Sequence, residues 1–257
     1  MAKIFALNEG CFSVDASKQF IPFNADIHHS KDRPASLFIH VQPFLIETQQ
    51  DLILIDAGLG FNNEMDTLIL HNNIRKAGFE PEDVSLVLLS HLHFDHIGGL
   101  IFKTNSEGDS RLSFTHADYI IQENEWNVAY TQASKSYNTT ILDILHRSGN
   151  IRFVNGNGNL TDDISFNITG GHCEWHQVFL IKDGDEQIFF GGDILPEPEQ
   201  ILRRFLAKYD FDPKKAMLMR EEYAKKAADE GWTCLFYHAK DKPISKIGFD
   251  GNHFNIY

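Results

Sequence analysis

The sequence predicts an α/β fold in αββα layering, with sheets covered on their outer faces by helices. Two observations carry that prediction. Runs of three to five residues rich in Ile, Val, Leu and Phe recur along the chain, each closed by Gly, Asp, Asn, Pro or His. Between them lie segments with helix start and stop signals, in the order strands, interspersed helices, then strand, helix and strand again.

Pro22–Ser36 is polar and reads as a loop, followed by strands at Leu37–Val41, Phe44–Glu47 and Leu52–Ile55. Asn63 caps a helix predicted through Arg75 and stopped by Gly78. Leu86–Leu89 is the next strand, and helices are expected over His116–Tyr130 and Thr139–Arg147, the second ended by Gly149. Asn155–Thr161, rich in Asn and Gly, is a second loop. Strands Val178–Ile181 and Ile188–Phe190 are joined by a hairpin turn at Asp183-Gly184. The longest helix is Pro213–Glu230, with Asp212 as N-cap, Pro213 in the first turn, Gly231 as stop, and an apolar stripe of Ala216, Met219, Tyr223 and Ala227. Leu235–Tyr237 is the last strand, and residues 1–257 read as one domain without repeats.

The chain is 42% hydrophobic and 23% charged, which excludes disorder, and its net charge is −13. That sign argues against nucleic acid or an anionic membrane as partner, because both reward Lys/Arg patches. No apolar stretch has the length of a membrane helix, and the run before Glu9 is too short for a secretory signal. Cys11, Cys173 and Cys234 are odd in number and far apart, forming neither a disulfide framework nor a zinc knuckle. A reducing, cytoplasmic setting follows, in which the sequons at Asn138, Asn159 and Asn167 go unread.

Thirteen histidines are many for this length, and their placement carries the chemistry. His91, His93, Asp95 and His96 fall within Ser90-His91-Leu92-His93-Phe94-Asp95-His96-Ile97-Gly98-Gly99, directly after an apolar strand. In extended chain alternate side chains share a face, so His91 and His93 project together off the strand end. A tight turn at Asp95-His96 leading into a helix brings those two side chains to the same point. Three imidazoles and a carboxylate so crowded suit a borderline-soft dication such as zinc. His28, His29, His40, His71, His116, His146 and His253 show no ligand spacing and read as surface or packing residues. A G-x-S-x-G nucleophile elbow and a phosphate-binding P-loop are both absent.

The segment His91–His96 with its Gly-Gly resembles the H-x-H-x-D-H signature of the metallo-β-lactamase superfamily. Four further segments are similar to that family's motifs, in the same order: Asp56-Ala57-Gly58, Gly171-His172 with His176, Gly191-Gly192-Asp193, and His238 after the last strand. The resemblance implies two mixed β-sheets with helices outside, and a pair of metal ions. It implies His91, His93 and His172 on one metal, Asp95, His96 and His238 on the other, and Asp193 bridging. Asp56 and His176 are expected to hold ligands by hydrogen bonds. Cys173 is a further thiol candidate, which the bridging Asp193 makes superfluous.

What the resemblance implies is a hydrolase, closest in look to the lactonase and organophosphate-hydrolase branch. A hydroxide shared between two Zn2+ ions would cleave a small ester, lactone, thioester or phosphotriester, with Mn, Fe or Co as other metals the donors accept. Asp95 is the expected proton carrier to the leaving group. The partner is then a small-molecule substrate, and a homodimer is left open. Acyl-homoserine lactonases carry a Tyr three residues after the bridging Asp, where this chain has Pro196. Phe12, Phe20 and Phe23 flank a loop and are candidates for an apolar pocket, with core packing as the competing reading. Two other functions compete: an iron-dependent oxygenase or persulfide dioxygenase of the same fold, and a non-catalytic metal-binding protein.

Overall fold

The computed structural model describes residues 2–103, 109–132 and 134–257. Two mixed sheets stack face to face. The first has six strands in the order Lys3–Ala6, Phe44–Glu47, Leu52–Ile55, Leu86–Leu88, Asp118–Gln122 and Ile151–Val154, antiparallel at its first two pairings and parallel at the other three. The second has seven, from Gly158–Asn159 through Ile164–Ile168, Gln177–Asp183, Glu186–Phe190, Thr233–Leu235 and Ile244–Phe249 to Phe254–Ile256, with one parallel pairing between Glu186–Phe190 and Thr233–Leu235. A three-stranded and a two-stranded antiparallel sheet complete the β structure.

The continuous apolar runs are explained by burial on both faces. Along each strand, alternate residues enter different cores. Phe44, Ile46, Ile53, Ile55, Leu88 and Ile120 meet Phe166, Phe179, Ile181, Ile188, Phe190 and Leu235 between the sheets. Their neighbours Leu45, Leu54, Val87 and Ile121 face outward onto Leu70, Ile74, Trp126, Leu142 and Leu145, which lie on the helices Ile69–Lys76, Glu123–Thr131 and Thr139–Ser148. On the far side Val178, Phe189 and Cys234 pack on Ala224 and Ala227 of the helix Pro213–Glu230. That alternation is the αββα sandwich.

Several elements differ from expectation. The helix foreseen from Asn63 starts at Ile69, because the Asn63 Oδ1 accepts from the backbone N–H of Met65 and Thr67 and closes a loop first. His116–Tyr130 is a strand, Asp118–Gln122, followed by a helix, Glu123–Thr131. Tyr119 and Ile120 pair in parallel with both neighbouring strands, Ile121 pairs with one, and all three are buried, which overrides their helical setting. The last predicted strand lies two residues earlier, at Thr233–Leu235. The polar loop at Pro22–Ser36 begins on the strand Phe20–Pro22, and Asn155–Thr161 contains Gly158–Asn159. On the helix Pro213–Glu230, Ala216 and Ala227 are buried and Tyr223 stacks on Phe189 as expected, while Arg220 and Ala224 are buried as well and Met219 is only half-buried.

Candidate metal centre

Every residue expected at the metal pair arrives at one end of the sandwich. Leu86–Leu88 ends just before Ser90, and His93 caps a short helix, Phe94–Ile97, that carries Asp95 and His96. Gly98 and Gly99 let this helix seat against the neighbouring loop, since a Cβ there would lie 2.2 Å from the Leu59 carbonyl oxygen or 2.1 Å from that of Ala57. His172 sits in the turn after Ile164–Ile168, whose backbone is locked by Phe211 N–H to the His172 carbonyl (2.9 Å) and Asp212 N–H to the Gly171 carbonyl (2.8 Å). Asp193 lies in a tight turn after Glu186–Phe190, and His238 follows Thr233–Leu235.

Two donor sets result. His91 Nε2 is 3.0 Å from His93 Nδ1, which is 3.1 Å from His172 Nε2. The edge of a tetrahedron around zinc with bonds of ~2.0–2.1 Å is about 3.3 Å, so these nitrogens converge as ligand atoms do. The second set is Asp95, His96 and His238, whose ring Nε2 atoms each lie 3.7 Å from Asp95 Oδ2. Asp193 divides its oxygens between the sets: Oδ2 is 3.1 Å from His172 Nε2, while Oδ1 is 3.3 Å from His96 Nε2 and 3.2 Å from His238 Nε2. His96 Nε2 and Asp193 Oδ1 are buried yet have no hydrogen-bond partner, an arrangement that is costly unless a cation sits between them. The donors fit a dinuclear metal site.

The other nitrogen of most rings is held, which aims the free one inward. His96 Nδ1 donates to Asp56 (2.7 Å), and Asp56 also accepts from the Ser90 N–H (2.8 Å) and hydroxyl (2.7 Å). The Ser90 oxygen in turn receives His91 Nδ1 at 3.0 Å. His172 Nδ1 donates to Asp210 (2.9 Å) and His238 Nδ1 to the His40 carbonyl (2.7 Å). His176 joins neither donor set. Its Nε2 accepts the Asp193 backbone N–H at 3.1 Å and its Nδ1 bonds Thr169 at 2.9 Å, so it fixes the Asp193 backbone. Gly192, at φ +49°, permits this approach, since a Cβ would fall 2.6 Å from His176 Nε2. Asp56 holds a positive φ of 52° as a non-glycine residue, strain stored beside the site.

The electrostatics follow the layout. Burial opposes charge on His96, but Asp193, Asp95 and Asp56 outweigh it and raise its pKa well above the ordinary histidine value. Burial together with the neighbouring rings drives His91 and His93 well below it. Asp193 is held well below the usual carboxylate range: burial works against it, and His172, His238 and His96 prevail.

Sequence reasoning missed Asp210, Ser90, Tyr237 and Arg220. Tyr237 donates to the Asp95 carbonyl at 2.7 Å, accepts from the Gly58 N–H at 3.1 Å and stacks on His96 with ring centroids 4.2 Å apart. Arg220, buried in the helix, donates to the carbonyls of Ile194 (2.8 Å) and Phe205 (3.0 Å) and ties the turn that carries Asp193 to the loop before Asp210. Ser90 and Tyr237 each adjoin a motif residue, a signal available in the sequence; Asp210 is 38 positions from His172 and had none. Cys173 donates its thiol to Glu125 (3.4 Å) and joins no donor set among the described residues. His71 packs on Phe102 and Phe114 as a core residue, and burial pushes its pKa down to about 4.

The pair opens into a cavity of about 350 Å³ lined by Val14, Phe20, Leu37, Ile39, Tyr209 and Phe211 among others. Of the three phenylalanines weighed for this role, only Phe20 lines it. Phe12 packs in the core against Phe61, and Phe23 packs at a tilt against Phe38.

Residues 38–238 match the model of the Metallo-beta-lactamase superfamily. The chain is 27% identical over 158 residues to N-acyl homoserine lactonase AiiA of Bacillus thuringiensis subsp. kurstaki, covering 54% of this chain and 57% of that protein. It is 28% identical over 152 residues to N-acyl homoserine lactonase AttM of Agrobacterium fabrum, covering 55% and 48%. These matches thus span about half the length of the curated relatives. A probable metal-dependent hydrolase from Staphylococcus aureus superposes with a TM-score of 0.76 at 21% identity, covering 99% of this chain and 95% of that one. AidC, a dizinc quorum-quenching lactonase, superposes with a TM-score of 0.76 at 22% identity, covering 100% and 94%. At these identities the structural likeness speaks for the fold alone. The family match over most of the sequence speaks for descent: the chain belongs to the metallo-beta-lactamase superfamily.

Proposed function

We propose that this protein is a dizinc hydrolase that opens a small ester or lactone, with thioesters and phosphotriesters as related substrates. The observation that carries the reading is the Asp193 carboxylate, one oxygen turned to each donor set, at the base of an apolar-walled cavity. His91, His93 and His172 would hold one zinc, and Asp95, His96 and His238 the other. Such a pair, when bound, supplies Lewis acidity and makes hydroxide available near neutral pH.

The side chains supply the rest. Asp95 is the candidate to take up a proton and deliver it to the leaving group; its backbone carbonyl, anchored by Tyr237, keeps the carboxylate in place. Asp56, Asp210 and the His40 carbonyl keep three ligand rings in one tautomer. The apolar wall seats a hydrocarbon portion and excludes water from it. Pro196 stands where lactonases carry a Tyr, and its carbonyl accepts the His238 N–H at 2.9 Å. The phenols facing the cavity are Tyr137, which donates to Glu125 (3.0 Å), and Tyr209.

The three cysteines are free, which supports the cytoplasmic reading, and no helix among the described residues is long and apolar enough to cross a membrane. The two sheets share one core, in which Ile46, Ile53 and Leu88 of the first meet Phe179, Ile188 and Leu235 of the second, and this supports one domain. Initial rates on an ester, a lactone, a thioester and a phosphotriester, measured with metal content in parallel, test the proposal. About two zincs per chain with turnover of at least one substrate is the expected result. One iron per chain with thiol-dependent oxygen uptake overturns it, and so does metal binding without any turnover.

A further inference from the structure

Five acids are buried among the described residues: Glu9, Asp56, Glu125, Asp193 and Asp210. Asp193 is a metal donor, Asp56 and Asp210 hold ligand rings, and Glu9 lies behind the floor against Gly58. The hydrolytic reading gives Glu125 no role. It stands in the first turn of the helix Glu123–Thr131, which follows the strand Asp118–Gln122. That strand runs parallel to Leu86–Leu88, so both chains leave the sheet at the end where the histidines gather. Three donors meet on the Glu125 carboxylate. Its Oε1 accepts the Leu92 N–H at 3.3 Å and the Tyr137 hydroxyl at 3.0 Å, and its Oε2 accepts the Cys173 thiol at 3.4 Å. Leu92 is the residue between His91 and His93, and Cys173 follows His172. One carboxylate is thereby bonded beside all three ligands of the first donor set. Among the described residues, none of its hydrogen bonds reaches a residue next to Asp95, His96 or His238.

His93 has the most need of such support. The outer ring nitrogens of His91 and His172 are held by Ser90 and Asp210. His93 turns its Nδ1 to the other two ligands, and its Nε2 has no hydrogen-bond partner among the described residues. Its backbone is held instead, on both sides: the Leu92 N–H by Glu125, and the Phe94 N–H by the Ser136 carbonyl at 2.8 Å. The Tyr137 ring packs at a tilt against the imidazole, with centroids 5.1 Å apart, and the hydroxyl that anchors that ring ends on Glu125.

We propose that Glu125 is a positioning residue for the first metal: it sets His93 through the Leu92 N–H and the Tyr137 ring, and it ties the His172 turn to the same point through Cys173. This rests on the dinuclear hydrolase reading and adds a residue to its site. A carboxylate that only satisfied buried donors would stabilise the metal-free chain and leave metal binding alone. A positioning residue changes the affinity of one donor set and spares the other.

The test is a titration of the whole metal-free chain with zinc against a chromophoric chelator, repeated with Co2+ for its visible absorption. His93→Ala and His238→Ala mark which binding step belongs to which donor set. Glu125→Gln keeps the shape and removes the charge. It should weaken the His93 step about ten-fold or more, alter the cobalt bands that grow in with that step, and leave the His238 step within about two-fold of wild type. Tyr137→Phe keeps the ring without its hydroxyl and should weaken the same step about three-fold. Because both changes act through one hydrogen bond, the double variant should lose less than the product of the two. Both steps unchanged in Glu125→Gln, or both weakened alike, overturn the inference and leave the hydrolase reading standing. Should Glu125→Gln not fold, Tyr137→Phe decides, and an unchanged His93 step there overturns the inference equally. A wild-type chain that binds fewer than two metals overturns the dinuclear reading, and this inference with it.

Discussion

At the floor of the cavity, His91, His96, His172 and His238 are each fixed through the ring nitrogen that faces away from the site, and all are at most 6% exposed. At its mouth, Leu37 is 46% exposed and Phe211 65%, held by backbone contacts with nothing packed over them. The floor is built at strand ends, where buried strands on either side set each backbone position. The mouth is built from loops. Residues fixed by several partners suit a task that fails with small displacement, whereas exposed apolar side chains suit one that tolerates variation in the guest. The comparison can be broken at either end.

The largest effect is expected at the bridge. Asp193→Ala removes the one carboxylate that serves both donor sets, and turnover should fall by about 10³-fold or more, with less than two metals retained per chain. Chelation of wild-type protein should reach the same endpoint, reversed by added zinc. Full activity in Asp193→Ala would mean that the floor does not act as a unit. Next comes Asp56→Asn, which keeps the shape but weakens the hold on the His96 N–H. Metal affinity in the second donor set should drop about 10–100-fold. A competition titration with a chromophoric chelator reads this directly, and an unchanged affinity would reduce Asp56 to a packing residue.

The same contrast explains what the sequence revealed. His91, His93, Asp95 and His96 lie within one short segment, so their convergence is a local consequence of strand end and turn. His172, Asp193 and His238 each follow a strand of the second sheet and were placed through the order of motifs. Asp210 and Arg220 were not legible, because what makes each matter is a neighbour 38 or 26 positions away, at His172 or Ile194. The αββα layers were legible for a related reason. Apolar runs buried on both faces are written in composition, whereas Asp118–Gln122 was read as helix because its pairing partners, Leu86–Leu88 and Ile151–Val154, are remote.

A smaller effect is expected just behind the floor. Glu9 is buried, accepts from the Leu59 N–H at 2.7 Å, and lies against Gly58, whose N–H bonds Tyr237. Burial pushes the Glu9 carboxyl up to about 8, only partly countered by the Leu59 bond. The folded chain therefore keeps a proton that the unfolded chain gives up near the ordinary value of 4.5, and stability should fall as pH rises from about 4.5 to about 8. Glu9→Gln cannot ionise and should lose that slope, melting about 2–4 °C above the wild type at pH 8 for each kcal/mol recovered. Parallel melting curves across this range would show Glu9 to be ionised in the fold.

The smallest effect is expected at the mouth, where Phe211→Ala removes an exposed ring and leaves its backbone N–H on the His172 carbonyl. The floor should not notice. Metal content should stay at the wild-type level and Tm should change by no more than about 1 °C, as for an exposed side chain outside the core. The KM for a long-chain ester should rise about two- to five-fold, from the loss of part of an apolar wall worth about 25 cal/mol per Å² covered. A short-chain acetate ester, too small to reach Phe211, should show the wild-type KM. If Phe211→Ala instead lowers kcat or releases metal, the loop at 205–212 belongs to the floor through Asp210 and Arg220, and the division between a rigid base and a permissive mouth has to be drawn further out.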